Sequence, residues 1–190
     1  HDMDRIAGAF VVENFMRMAA NLYLLSPGSP VIYYGEEIGM RGSRGGEMTD
    51  ANRRLAMLWG DGDLIRDPEG TTYQKKNQIT TTVADQMADE NSLYSYYCDV
   101  IAVRHRYPAI ARGTYTVLKG SSRNLGGFQI DYQGDTLCLL HNNGQQELTF
   151  DFSKVEGFTP EMLCDFVGMG SAKLEGNILT LGPQTSAIVK

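Results

Sequence analysis

The sequence predicts an α/β segment followed by an all-β segment, and three features of the residue pattern lead to this fold class. Apolar residues recur at helical spacing in two stretches of the first 112 residues, and a short run typical of a buried strand lies between them. After Gly113 the period becomes that of strands separated by turn residues, which is typical of an antiparallel β-sandwich. With 190 residues, 42% of them hydrophobic and 21% charged, the chain can form a core in one or two small domains.

The first helix is predicted over residues 5–25. Its apolar residues follow each other in steps of four and three, which places them in one stripe on a helix: Val11, Phe15, Met18, Leu22 and Leu25. Pro27 and Gly28 end the pattern. We expect the first four residues of this stripe to be exposed in the chain alone and to promote self-association unless a partner covers them.

A short strand is predicted next, at residues 31–34. The run Val-Ile-Tyr-Tyr is apolar without alternation and lies between Pro30 and Gly35, as in a fully buried parallel strand. Residues 39–82 lack periodicity, and a connection of that length is usually functional. A second helix is predicted over residues 89–105, with Pro108 as its stop. Two helices and one parallel strand cannot close a core, because a buried strand needs neighbours on both sides.

The rest of the chain is predicted to be an antiparallel β-sandwich. Strands are expected at residues 114–118, 128–132, 136–141, 147–152, 162–167, 178–181 and 187–189. Turns rich in Gly and Asn separate several of them, at spacings typical of a sandwich. The pattern therefore divides the chain into domains 1–112 and 113–190, with the boundary near residues 110–114.

Composition limits the classes of partner. A formal net charge of −6 argues against nucleic acid or an anionic membrane as the main partner, and no apolar run reaches the ~20 residues that a membrane-spanning helix needs. Cys98, Cys138 and Cys164 are far apart, so neither a disulfide framework nor a zinc site is indicated, and we expect buried thiols. His105 and His141 are expected on an exposed helix face and at a strand end. No cofactor or set of metal ligands is evident.

Four motifs occur in order along the chain. His1-Asp2 is followed by Arg5, residues 27–40 read Pro-Gly-Ser-Pro-Val-Ile-Tyr-Tyr-Gly-Glu-Glu-Ile-Gly-Met, residues 54–59 read Arg-Leu-Ala-Met-Leu-Trp, and Ser92-Leu93-Tyr94 begins the last. In this order they resemble the end of the alpha-amylase family of glycoside hydrolases, over essentially the whole chain. There are two departures from the family pattern. The asparagine that precedes the histidine in the family motif is outside this chain, and Ala56 stands where the family has proline.

The resemblance implies the truncated end of a (β/α)8 TIM barrel followed by the antiparallel β-sandwich. Residues 5–25 would form the seventh helix, residues 31–34 the eighth strand and residues 89–107 the eighth helix, with His1-Asp2 at the end of the seventh strand. The active site of such a barrel lies at the C-terminal ends of its strands. His1, Asp2 and the loop 35–60 all belong to that side.

The resemblance also implies the chemistry. The family cleaves α-glucosidic bonds with retention, using a nucleophilic carboxylate and a carboxylic acid about 5 Å apart. Both belong to earlier strands, so we expect the chain alone to be inactive. Asp2 matches the third carboxylate, which stabilises the oxocarbenium-like transition state. His1 matches the histidine that hydrogen-bonds the same sugar, for which neutral imidazole is suited as both donor and acceptor. Arg5 matches the motif's arginine, and its role is open between orienting nearby carboxylates and touching sugar.

Five other side chains near these motifs have simpler explanations. By the resemblance, Glu36 and Glu37 belong to ion pairing at the end of the strand rather than to catalysis. Tyr33, Tyr34 and Trp59 could stack on sugar rings, but large aromatic side chains beside a barrel more often belong to the core.

Two other functions compete with the hydrolase hypothesis. A non-catalytic sugar-binding or transporter-associated relative would keep the barrel without its carboxylates, and the retained His1 and Asp2 argue against it. An independent carbohydrate-binding module is disfavoured because residues 114–190 contain no Trp. The expected partner is an α-glucan oligosaccharide or polysaccharide, whereas linkage specificity, calcium binding and localisation stay open.

Overall fold

The computed structural model describes residues 2–43, 50–62 and 66–190, which form two compact units. One unit contains the residues up to Ala19 together with Val31–Cys98. The other contains Ala20–Pro30 together with Asp99–Lys190. The division into domains 1–112 and 113–190 stays a prediction.

Two helices, α1 (Ile6–Ala9) and α2 (Glu13–Leu24), replace the single helix predicted over residues 5–25. The break lies at Phe10, whose backbone is extended at φ −123° and ψ 111°. Within α2 an ion pair between Glu13 and Arg17, one turn apart, supports the first turns.

The exposed stripe predicted for this region is only partly present. Val11 is 64% and Leu22 40% exposed, whereas Met18 is only 4% exposed and is therefore buried. Val11 lies before α2 begins, so it does not share a helix face with the other three residues. The buried face of α2 instead includes Met16, Ala20 and Leu24, which follow each other at intervals of four residues.

The described residues 31–34 form no strand, contrary to the prediction. Val31 is 83% exposed, and the chain continues into a 3₁₀ helix at Glu36–Ile38 that is flanked by two glycines with positive φ, Gly35 and Gly39. A parallel strand needs hydrogen-bonding neighbours, and none of the described residues before Thr114 is in a strand. The backbone of residues 31–34 therefore has no sheet to join.

The described part of the long connection predicted at residues 39–82 contains two short 3₁₀ helices, Ala51–Arg53 and Lys75–Asn77. It packs on a small core of Ile38, Met40, Leu55 and Val83. A helix that was not predicted, α3 (Val83–Met87), follows it. Its N-terminus carries a capping box, in which Thr82 and Asp85 exchange hydrogen bonds between side chain and backbone.

The second predicted helix is confirmed as α4 (Leu93–Arg106), and the short α5 (Ala109–Arg112) follows. Leu93, Tyr97, Val100 and Val103 form its buried side. From the last turn, the buried Arg104 donates to the carbonyl oxygens of Leu24 at 2.6 Å and Ser26 at 2.8 Å. These bonds satisfy carbonyls at and just beyond the C-terminus of α2, where a positive charge is also favourable.

The remaining residues form two antiparallel sheets, as predicted. The first sheet contains β1 (Thr114–Lys119), β2 (Leu125–Tyr132), β3 (Asp135–Asn142), β8 (Thr185–Val189) and β5 (Leu163–Gly168), in that spatial order. The second contains β4 (Leu148–Asp151), β7 (Ile178–Leu181) and β6 (Ala172–Glu175). The predicted strands are all present, and β6 was not predicted.

One apolar core lies between the two sheets. Cys138, Leu140 and Val189 of the first sheet and Phe150 and Leu179 of the second belong to the same buried cluster. Each of these strands also carries exposed or half-buried residues on its other face, except the central β3 and β8, which are buried almost throughout. Burial of this apolar area is the main stabilising contribution to the sheet domain.

The cysteines only partly match the expectation of buried thiols. Cys138 is buried in β3, where burial raises the pKa of its thiol to about 12. Cys164 is half-buried, and Cys98 is exposed on α4. Within residues 2–43, 50–62 and 66–190, no helix is both long enough and apolar enough to cross a membrane.

Candidate functional site

The segment that carries Asp2 is irregular, with a bend at Met3, and leads into α1. Asp2 is exposed, and the predicted partner His1 lies outside the described residues. Arg5, three residues on, is only 1% exposed. The structure therefore separates the two described candidates, with Asp2 at the surface and Arg5 in the interior.

Three contacts hold this segment to the rest of its unit. Arg53 Nε donates to Asp4 Oδ1 at 2.7 Å, and Arg5 Nε donates to the carbonyl oxygen of Tyr34 at 2.9 Å. The amide of Ile6 donates to both carboxylate oxygens of Glu36, at 3.2 Å each. Residues 4–6 are thus fixed to the part of the chain that follows residue 30.

Two adjacent tyrosines surround the Arg5 guanidinium. Its central carbon lies 4.7 Å from the ring centre of Tyr33 and 4.8 Å from that of Tyr34, which are cation–π distances. Tyr33 donates its hydroxyl to the carbonyl of Arg53 at 3.2 Å, and Tyr34 donates to that of Leu55 at 2.8 Å. The hydroxyls anchor the rings, so the rings hold the guanidinium in one place.

Two glycines allow the backbone to approach this arginine. A Cβ atom on Gly42 would lie 2.4 Å from the carbonyl oxygen of Asn52 and 3.3 Å from Arg5 Nη1. A Cβ on Gly35 would lie 2.8 Å from Met40 Cβ and 3.3 Å from Arg5 Nε. Both positions also have positive φ, so a side chain would be strained as well as crowded.

The carboxylates next to this arginine are partly buried. Burial raises the pKa of Glu36, the Ile6 amide and the Arg5 charge oppose that rise, and the nearby charge of Glu37 adds to it. Glu37 Oε2 is buried and has no hydrogen-bond partner among the described residues. This arrangement agrees with a structural cluster of charges and offers no exposed carboxylate pair.

Trp59 does not belong to the core, contrary to the expectation for the aromatic residues. It is 61% exposed, whereas Leu55 of the same motif is buried. Nearby, a cavity of about 180 Å³ is lined by apolar side chains and by Asp67, Tyr73 and Gln78. Across the described ranges, no three His, Cys, Asp or Glu side chains are arranged to hold a metal ion.

Several residues of this cluster were missed by the sequence reasoning. Asp4 and Arg53 are 49 positions apart, and neither lies in a pattern that points to the other. Outside this cluster, His141 lies near the end of β3, as expected, with Nδ1 2.7 Å from Ser186 Oγ. Its burial was not predicted.

Comparison with known proteins identifies the family. The sequence model described as the alpha amylase catalytic domain matches residues 1–113. Alpha-amylase 3 of Dictyoglomus thermophilum is 29% identical over 175 residues, covering 91% of this chain and 33% of that protein. Alpha-amylase SusG of Bacteroides thetaiotaomicron is 33% identical over 172 residues, covering 82% of this chain and 24% of SusG.

Solved structures agree with these sequence relatives. Amy13B of Eubacterium rectale superposes on the whole chain with a TM-score of 0.85 and 30% identity, covering 37% of that protein. An alpha-amylase from H. orenii superposes with a TM-score of 0.74 and 25% identity, covering 38% of its chain. The chain thus spans about a quarter to a third of the curated relatives and over a third of these structures. It belongs to the alpha-amylase family.

Proposed function

We propose that this chain is the C-terminal part of a retaining α-glucan hydrolase, comprising the truncated end of a (β/α)8 barrel and a C-terminal β-sandwich. The observation that carries the proposal is the family match over residues 1–113, a range that contains His1, Asp2 and Arg5. The lengths of the relatives support a longer parent. The substrate class is starch or maltodextrin, in keeping with relatives named as amylases and as a cyclomaltodextrinase.

In this proposal Asp2 is the transition-state stabiliser of the parent enzyme. Its exposed position leaves the carboxylate accessible to a sugar, while the contacts of Asp4, Arg5 and Ile6 limit the movement of the segment. A carboxylate fixed in this way costs no reorganisation when positive charge develops on the sugar. His1 would hydrogen-bond the same sugar.

Arg5 has the less direct role. Its contacts with one carbonyl and two aromatic rings favour orientation of the site over contact with sugar, because Arg5 is only 1% exposed. The nucleophile and the general acid would lie on strands that precede residue 1. The isolated chain is therefore expected to release no maltose from soluble starch, since it lacks both groups of the retaining mechanism.

Replacement of Asp2 in the intact parent tests the proposal. Asp2→Asn keeps the size of the side chain and removes its charge, so kcat should fall about a hundred- to a thousandfold with a smaller change in KM. Asp99→Asn, which changes an exposed acid on α4, is the matched control and should leave both constants unchanged. A near-parental kcat for Asp2→Asn would show that Asp2 is not this carboxylate.

The second candidate function is a non-catalytic relative that binds sugar or accompanies a transporter. It predicts that the intact protein binds maltooligosaccharides without cleaving them. Isothermal titration with maltoheptaose, followed by chromatography of the same sample for shorter products, separates the two functions.

A further inference from the structure

The least satisfied buried group in the first unit is the guanidinium of Arg5. Its Nε is bonded to the carbonyl of Tyr34, but Nη1 and Nη2 are buried without a hydrogen-bond partner anywhere in the described part of the chain. The whole residue is 1% exposed, so bulk solvent does not supply the missing acceptors. An arginine stays protonated at all ordinary pH values and cannot escape the problem by becoming neutral.

The surroundings fix the guanidinium but leave its outer edge without an acceptor. The rings of Tyr33 and Tyr34 offset part of the lost hydration through their π faces. They cannot accept in the plane of the guanidinium, where the terminal N–H groups point. That edge is a rigid fork whose geometry matches two oxygens of one carboxylate.

Among the described residues, two acids near Arg5 have other contacts. Asp4 is paired with Arg53, and both oxygens of Glu36 accept from the Ile6 amide. Within the described part of the chain Glu37 is an alternative partner, because its Oε2 is also buried and has no hydrogen-bond partner there. The test must therefore distinguish Glu37 from a group outside the chain.

We propose that the terminal nitrogens of Arg5 bind a carboxylate side chain carried by the part of the parent protein that precedes residue 1. The proposal rests on the proposed function in one respect, namely that this chain is part of a longer barrel. Relatives three to four times as long support that assumption. The carboxylate would complete the cage formed by Tyr33, Tyr34, Gly35 and Gly42, and would join the two parts of the protein at a point three residues from Asp2.

A single substitution, measured in the 190-residue chain and in the intact parent, tests the pairing of Arg5 with this carboxylate. Arg5→Met keeps much of the length and removes the charge. In the 190-residue chain it removes an unpaired buried charge, so the Tm should rise or change by no more than about 2 °C. In the intact parent it leaves a buried carboxylate unpaired, so the Tm should fall by roughly 3 °C or more. Arg112→Met, at an exposed position, is the control in both proteins.

Two further variants keep the test decisive. If the parent protein that carries Arg5→Met does not fold, Arg5→Lys provides the measurement. Lysine keeps the positive charge but lacks the forked set of N–H donors. If Glu37 is the partner, Glu37→Gln should restore the Tm of the Arg5→Met variant in both proteins, and the proposal is then wrong.

Equal losses of Tm in the short chain and in the parent would also overturn the proposal. The measurement does not depend on hydrolysis. If the parent is catalytically inert but loses more Tm than the short chain does, the hydrolase proposal is wrong and the pairing of Arg5 with a carboxylate is supported. If the parent is active and the two losses of Tm are equal, the hydrolase proposal is supported and the pairing is wrong.

Discussion

The buried His141 makes the stability of the sheet domain depend on pH. It lies in β3 with its Nδ1 2.7 Å from Ser186 Oγ of β8. Asn21 Nδ2 donates to the same hydroxyl oxygen at 3.0 Å, so the serine proton is free to point at the histidine. Nδ1 is then the acceptor and Nε2 carries the proton of the neutral ring, with no partner in the described ranges.

Burial lowers the pKa of His141 from 6.5 to about 4. The unfolded chain therefore binds a proton between these two pH values that the folded chain does not bind. Stability from this residue is fully present above pH 6.5 and is lost as the pH falls toward 4. The difference between the two pKa values corresponds to about 3 kcal/mol in the free energy of unfolding. About 2 kcal/mol of this is lost between pH 8 and pH 5.

Urea unfolding at the two pH values measures this loss. His141→Gln removes the titrating group but can still accept from Ser186, so its free energy of unfolding should change about 2 kcal/mol less between pH 8 and pH 5 than that of the original chain. His105→Gln, which removes an exposed histidine of α4, should leave the pH dependence unchanged. The same pH dependence in the original chain and in His141→Gln would refute the assignment of a buried neutral histidine.

Two further substitutions test the packing of the sandwich. Gly127→Ala should lower stability by about 2 kcal/mol or more, because the added Cβ would lie 1.9 Å from the carbonyl oxygen of Leu139 on the paired strand. Gly126→Ala, with its nearest neighbour at 3.1 Å, should cost clearly less, and similar losses would contradict this view. Asn142 is 0% exposed and donates to the carbonyls of residues 181 and 182, so thermal unfolding of Asn142→Ala should show a loss of about 2–4 kcal/mol. Asn143→Ala, an exposed neighbour, is expected to be neutral, and a neutral Asn142→Ala would show that these bonds contribute little.

The sheet domain could be predicted because its determinants are local. Alternating apolar residues and turn residues recur within each ten-residue stretch, and every predicted strand is present. The missed strand β6 (Ala172–Glu175) is short and has charged residues at two of four positions, and no residue of it is fully buried. Its alternation is too brief to stand out, and its pairing with β7 depends on a partner strand rather than on its own pattern.

The cluster around Arg5 could not be predicted, for the opposite reason. Its contacts join residues 20 to 49 positions apart, and the acceptor of Arg5 is a backbone carbonyl, which any residue provides. The motif identified Arg5 as a residue of interest but left its role open. Arg5 is only 1% exposed, and two of its nitrogens lack a hydrogen-bond partner among the described residues. Both properties arise only in the folded chain.

Residues 31–34 show how far a local pattern determines structure. The run Val-Ile-Tyr-Tyr is suited to a strand that is covered on both faces. Such a strand needs neighbouring elements on both faces, and four residues cannot supply these by themselves. In the chain, the carbonyl of Tyr33 accepts from the Glu36 amide and that of Tyr34 accepts from Arg5 Nε, so both carbonyls are satisfied by contacts other than a sheet ladder. Val31, at 83% exposure, gains nothing from these contacts. The apolar pattern therefore describes the neighbours that the segment requires, and the structure shows the conformation it adopts when the described chain does not supply them.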